Sequence, residues 1–275
     1  MKKIVLILGL TVISQFIFSQ NIYFALQGGY NYGLAKEKVQ IYSPPYVADD
    51  NDIEPTVFAN ITENKITGDE TIEAIPVSFA QGFSYGANIG FMYKKIGFEV
   101  NAFYQKGIKY TAHYYDNASI NLQSTNLNII PAFVYKSDTG KFAVVSKLGL
   151  IMASSEIETN INTSDNYYTE KSLQTGKLYF GAYLSVGAEY AVIKNLYISV
   201  SIDASLLQYN PEKVVLKEYI IDGEDNINED YITKEIIFVD SKNIDNTDDD
   251  NKRLKPYYNM SSIGFKLGIK YNFAL

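Results

Sequence analysis

The sequence predicts an all-β fold: an eight-stranded antiparallel transmembrane β-barrel with short periplasmic turns and long extracellular loops. Three observations carry that prediction. Eight segments alternate large apolar residues with small or polar ones at period two, which is the strand signal. Past the first twenty residues no apolar run approaches the ~20 residues that a membrane helix needs. The connections alternate short and long along the chain, as in a barrel whose hairpins turn tightly on one side of a membrane.

The chain opens on "MKKIVLILGLTVISQFIFSQ". Lys2 and Lys3 form a basic start, Ile4 to Ile13 an apolar stretch, and Ser19 a small residue before Gln20. This reads as a secretory signal over 1–19, leaving 20–275 as the barrel and placing it in the bacterial outer membrane. The first strand, "NIYFALQGGYNYGLA", sets Ile22, Phe24, Leu26, Tyr30, Tyr32 and Leu34 against Ala25, Gln27, Gly29, Asn31 and Gly33. "FSYGANIGFMY" sets Phe83, Tyr85, Ile89, Phe91 and Tyr93 against Ser84, Gly86, Asn88 and Gly90. "GFEVNAFYQKGIKY" repeats the pattern with Phe98, Val100, Tyr104, Ile108 and Tyr110 against Glu99, Asn101, Gln105 and Lys109.

The next four segments are "TNLNIIPAFVY", "FAVVSKLGLIM", "LYFGAYLSVGAEY" and "LYISVSIDASL". The last, "IGFKLGIKYNF", sets Ile263, Phe265, Leu267, Ile269, Tyr271 and Phe273 against Gly264, Lys266, Gly268 and Lys270. A secreted sandwich or a lipocalin-like barrel would turn the apolar faces inward. Here the opposite faces carry too much Gly, Ser, Asn and charge for ordinary solvated strand faces, so the apolar faces are assigned to lipid. An even strand number also closes the edges that lipid forbids. Short connections fall at 94–96, 136–141 and 191–195. Long extracellular ones fall at about 36–80, 155–176 and 210–256, with a brief one near 112–121.

Composition narrows the chemistry. The chain has 24 Tyr and 15 Phe, no Cys, no Trp and one His. Without cysteine there is no disulfide framework, thiolate metal site or cysteine nucleophile, and one histidine makes a His-rich metal site improbable. No cofactor and no metal are expected. Aromatic rings favour membrane interfaces, so two girdles are expected. Tyr93, Phe98, Tyr135, Phe142, Tyr190, Tyr271 and Phe273 are assigned to the periplasmic rim. Tyr30, Tyr32, Tyr110, Tyr209 and Tyr257 are assigned to the outer one.

"FYQKGIKY" (103–110) resembles the Tyr-x-Gln-Lys-Gly signature of the PorT-like outer-membrane β-barrel family. "NIIPAFVYK" (128–136) resembles that family's Ile-Pro strand, and "GFKLGIKYNF" its last strand. Two positions depart: tyrosine directly precedes Gln105 with Phe103 at the aromatic position, and Ile129 stands where a carboxylate often precedes Ile-Pro. The resemblance implies an OmpA/OmpX-like eight-stranded barrel with its N-terminus in the periplasm. The family includes a component linked to type IX secretion, so the resemblance also implies secretion-machinery proteins as candidate partners, but fold kinship does not assign a function.

The inward face carries Glu99, Gln105, Lys109, Lys136, Lys147, Glu189, Asp203, Lys266 and Lys270. The candidate lumen charge network is Glu99, Lys147, Glu189, Asp203 and Lys266. Eight strands enclose just enough room for their own side chains, so these charges are expected to pair and plug the lumen. Pro131 cannot donate to a ladder and is read as a tolerated defect. His113, with Asp116 and Ser119 near it in sequence, is the one hint of a rim enzyme acting on lipid A. Closeness in sequence is not triad geometry, and the chain is read as non-enzymatic.

Residues 36–80 hold nine carboxylates against three lysines, and 210–256 hold thirteen against seven basic residues, a net of −6 each. The whole chain is −7, so the remainder is net basic, including the turn lysines Lys94, Lys95, Lys136, Lys141 and Lys194. Acidic outer loops argue against nucleic acid. The candidate surface-binding residues are Asp222, Glu224 and Asp225 in "DGEDNINED", and Asp248, Asp249 and Asp250 in "DNTDDDN". Neither stretch has EF-hand spacing. The stretches 212–221 and 230–240 flank Asp222-Gly223 and read as a hairpin standing above the membrane. Either its edges stay open for strand addition by a partner, or it packs on the similarly apolar "VQIYSPPYV" of the first loop. The expected partners are outer-membrane lipid and a protein or glycan at the loops, with the barrel a monomer acting in surface binding, adhesion or a structural role.

Overall fold

The computed structural model describes residues 21–42, 56–63, 70–114, 118–163, 167–229, 232, 234–240 and 252–273. Eight long strands form the barrel: β1 (Asn21–Gly33), β2 (Gly82–Tyr93), β3 (Ile96–Gly107) and β4 (Ala118–Thr139), then β5 (Phe142–Thr163), β6 (Tyr179–Ile193), β7 (Leu196–Leu206) and β8 (Ser262–Phe273). Each pairs antiparallel with its neighbour in sequence, and β8 pairs with β1 from Phe273↔Ile22 to Ser262↔Gly33, which closes the ring. Closure matters physically, because an open edge would leave backbone donors unpaired in a medium that offers no water.

The period-two alternation resolves into two surfaces. Phe83, Phe133, Leu148, Leu150, Phe180, Leu184, Ile202, Leu267 and Ile269 point outward and are exposed. Between them, Asn88, Glu99, Asn101, Lys147, Ser185, Asp203, Lys266 and Lys270 point inward and are buried. A water-soluble protein would bury the first set. Only an apolar solvent stabilises this arrangement, with lipid outside and a polar interior. No helix among the described residues is long and apolar enough to cross a membrane, and the crossing is made by strands.

Lys109, expected on the inner face, is exposed. β3 ends at Gly107, where a Cβ would come within 2.3 Å of Ser124 Oγ, and the alternation does not carry past it. Pro131 sits on the outer face opposite Val100 of β3. Its pairing toward β5 breaks between Ile129↔Met152 and Ala132↔Gly149, the side on which the missing N–H would have donated.

Above the lipid belt the sheet continues. β4 and β5 stay paired up to Ala118↔Thr163, so most of 155–176 is strand rather than loose loop. Upper β5 pairs with Tyr168–Thr175, which pairs in turn with Lys213–Ile221. That strand pairs with Glu235–Val239, which is followed by Lys252–Leu254. On the other side upper β4 pairs with Tyr110–Tyr114, then with Ala59–Glu63 and Glu70–Ala74. The result is an extracellular crown continuous with the barrel wall. Its core joins Val39, Ile41, Phe58, Val77 and Phe79 of the first loop to Phe103, Ile130, Ile151 and Tyr183 of the upper lumen, and to Tyr209, Tyr258 and Met260. Tyr209 therefore leaves the expected outer girdle: it is buried, with its ring 5.2 Å from Tyr179 and 6.3 Å from Tyr258.

Candidate functional site: a plugged lumen under an acidic crown

Strand geometry places the inward charges in two tiers. In the lower tier Lys270 Nζ lies 2.7 Å and Lys136 Nζ 3.2 Å from the Glu189 carboxylate. Beside them Lys147 Nζ lies 2.7 Å from Glu99 Oε1, while Glu99 Oε2 accepts from Tyr23 Oη at 2.8 Å and Asn88 Nδ2 at 3.2 Å. In the upper tier Lys266 Nζ is 2.7 Å from Asp203. The structure thus brings together all five residues of the candidate lumen network, with Lys136 and Lys270 added.

Two aromatic residues missing from that set complete it. Lys266 Nζ stands 3.6 Å from the centre of the Phe103 ring, and Lys270 Nζ 3.9 Å from that of Tyr23. A desolvated ammonium over an aromatic face is held electrostatically. The signal was present in the sequence: Tyr23 and Phe103 are large aromatic residues on the polar face of an alternating strand. The charges are neutralised within hydrogen-bonding distance, as burial requires. The upper lumen holds a cavity of 30 Å³ beside Ser84, Asn128 and Asp203, room for about two water molecules. The lumen is filled rather than open.

The first loop stoppers the barrel from above. Val77 pairs with Glu37, and the chain after it is fixed by polar contacts from the wall. Gln105 Nε2 donates to Ala80 O at 2.6 Å, Ser124 Oγ to Phe79 O at 2.7 Å, and Tyr110 Oη to Ser78 O at 3.2 Å. Gln105 Oε1 also accepts from Asn31 Nδ2 at 2.9 Å. The "FYQKG" stretch therefore has a physical role here: its Phe carries a lumen ammonium and its Gln ties the stopper to β1.

The last loop does fold back at Asp222-Gly223. Both residues have positive φ, +52° and +81°, between the paired Ile221 and Glu224, which is the type I′ geometry that Asp-Gly favours. Its edges are not open. Lys213–Ile221 pairs along one side with Tyr168–Thr175 and on the other with Glu235–Ile237 at its base and Glu224–Asp225 at its tip, and Tyr42 of the first loop packs edge-on to Phe238 at 4.9 Å, beside Val214 and Ile236. The two loops pack on each other, which decides between the alternatives the sequence left open. Asp222, Glu224 and Asp225 stand exposed at the hairpin tip. Asp248, Asp249 and Asp250 lie outside the described residues, as do 1–20 and Asp116. His113 is exposed, pairs across the ladder with Ser119, and donates its backbone N–H to Asn60 Oδ1 at 2.9 Å. No group of three or more His, Cys, Asp or Glu among the described residues could hold a metal ion.

The closed ring, its apolar exterior and its paired polar interior decide the architecture. The chain is an eight-stranded β-barrel of the outer-membrane type. No protein-family model matches it, and no curated protein does. Among solved structures it is similar to Neisserial surface protein A (TM-score 0.38, 11% identity), to Ail, the attachment invasion locus protein of Yersinia pestis (0.31, 8%), and to the outer membrane protease OmpT from Escherichia coli (0.34, 12%). Each alignment covers 92% of this chain and 97% of the other. At such scores and identities the likeness carries no inference about activity.

Proposed function

We propose that this barrel is a non-enzymatic surface-recognition protein of the bacterial outer membrane, whose mechanism is binding through the extracellular crown. One observation carries the reading: the barrel wall continues without a break into a packed, paired crown that sits on a filled lumen. A conduit needs the opposite, an open lumen and movable loops. Here the polar interior serves rigidity, and the crown presents the acidic tip Asp222–Asp225 at a fixed height above the lipid. Charge complementarity favours a protein partner with a basic face, since both long loops are net −6; a neutral glycan is the other outcome. The PorT-like signature supports a second reading, an accessory component of a type IX-like secretion system.

Light crosslinking of intact cells followed by mild extraction of a tagged copy tests both. A captured partner whose yield falls several-fold in Asp222→Asn/Glu224→Gln/Asp225→Asn supports crown recognition. Stoichiometric recovery of envelope secretion components, with export lost on deletion, replaces it with the machinery reading. Recovery of the barrel alone, with no external protein or glycan retained by the purified chain, refutes the binding function.

A further inference from the structure

The opposite end of the barrel differs in charge and in backbone geometry. β2–β3, β4–β5 and β6–β7 are joined by the two-residue turns Lys94-Lys95, Gly140-Lys141 and Lys194-Asn195. Each turn carries at least one lysine, and all four lysines are exposed. Each also has one residue in the left-handed region: Lys94 at φ +55°, Gly140 at +79° and Asn195 at +71°. Glycine and asparagine are the residues that tolerate this conformation, whereas a long side chain is strained in it. Two turns use the tolerant residue and the first uses lysine. Strain retained where an easier residue exists points to a use for the side chain.

The position of these ammonium groups indicates the use. Tyr93 directly precedes Lys94, whose Nζ is 5.5 Å from the ring centre. Phe142 directly follows Lys141 and packs on Tyr190 at 4.8 Å. Interfacial aromatic rings mark the boundary between acyl chains and headgroups, so lysines one residue beyond them stand at the headgroup plane. The carboxylate nearest in sequence, Asp138, is already engaged by Lys136 at 3.3 Å. The three turns lie at separate points around the circumference, with the termini of β1 and β8 at the fourth. A single compact ligand would need them gathered; a lipid annulus meets them where they are.

We propose that the periplasmic rim is a binding surface for anionic phospholipid headgroups, with Lys94, Lys95, Lys141 and Lys194 as the headgroup contacts. The full chain, folded in detergent, is offered phosphatidylglycerol and phosphatidylcholine of identical acyl chains, and retained lipid is counted by native mass spectrometry. The expected result is a preference of about fivefold or more for phosphatidylglycerol, falling with salt, since each lysine near a membrane surface contributes about that factor. Lys94→Gln/Lys95→Gln/Lys141→Gln/Lys194→Gln brings retention to parity. The same exchange at the exposed extracellular Lys177, Lys213, Lys217 and Lys234 leaves the preference intact. Should the fourfold variant fold poorly, Lys94→Asn relieves the turn, folds at least as well as the parent and still lowers the preference. Parity in the parent, an unchanged preference in the rim variants, or loss of preference in the extracellular set overturns the proposal. Millimolar inorganic phosphate leaves the preference in place; if it abolishes it, the site is one for free phosphate and the lipid assignment fails.

Discussion

Replacing Glu99 by glutamine isolates the charge that holds the lower lumen together. Glu99 is 1% exposed, forms an ion pair with Lys147 at 2.7 Å, and accepts hydrogen bonds from Tyr23 at 2.8 Å and Asn88 at 3.2 Å. Glutamine keeps the shape and can still accept from one neutral donor, but it leaves the Lys147 ammonium buried without its counter-charge. Breaking a buried pair from one side costs about 3–5 kcal/mol. Taking about 3 kcal/mol and an m-value of about 2 kcal/mol/M, the urea midpoint should fall by about 1.5 M. Alanine removes that remaining neutral bond as well and should cost about 1 kcal/mol more. Adding Lys147→Met to Glu99→Gln removes the stranded charge and should restore stability to within about 1 kcal/mol of the parent. The assay is reversible urea unfolding in lipid vesicles, followed by tyrosine fluorescence and by the gel shift between folded and unfolded chain. Additive losses in the double variant, or a Glu99→Gln shift below about 0.3 M at that m-value, would refute the view that this pair is a coupled unit.

Four further outcomes follow from the same geometry. Gly29→Ala would put a Cβ 1.9 Å from Phe265 O and 2.8 Å from Lys266 Cα, with backbone on both counts and nothing to swing aside, so the β1–β8 seam should lose more than about 2 kcal/mol and refolding yield should drop. Phe238→Ala should cost about 3 kcal/mol locally by undocking Tyr42, raising amide exchange in Lys213–Ile221 while the barrel strands stay protected. Burial pushes the phenols of Tyr209 and Tyr258 well above their ordinary value of 10.0, so the crown's stability is full below about pH 10 and is lost as pH rises above it. Tyrosinate absorbance should then show these two rings ionising late, together with loss of crown exchange protection. Tyr209 Oη is buried with no hydrogen-bond partner, so Tyr209→Phe should be neutral or stabilising by up to about 1 kcal/mol and should shift that alkaline transition upward.

What the sequence by itself determined is local and periodic. Phe265, Lys266, Leu267 and Gly268 declare their faces because a strand has only two, and eight such runs with alternating connection lengths suffice for a closed barrel. The same logic put Glu99, Lys147, Glu189, Asp203 and Lys266 on the inner wall, and Asp222-Gly223 at a tight turn. It misplaced Lys109, because it could not see the strand end at Gly107, and Tyr209, because a tyrosine near a rim has the same pattern whether it meets lipid or folds inward. Which lysine meets which carboxylate was settled only by the stagger between neighbouring strands, a property of the closed ring and not of any segment. The stopper at Val77–Ala80 and the union of Tyr42 with Phe238 depend on residues about 30 and 200 positions apart in sequence. A two-fold period says which way a side chain points; only the assembled sheet brings its partner within reach.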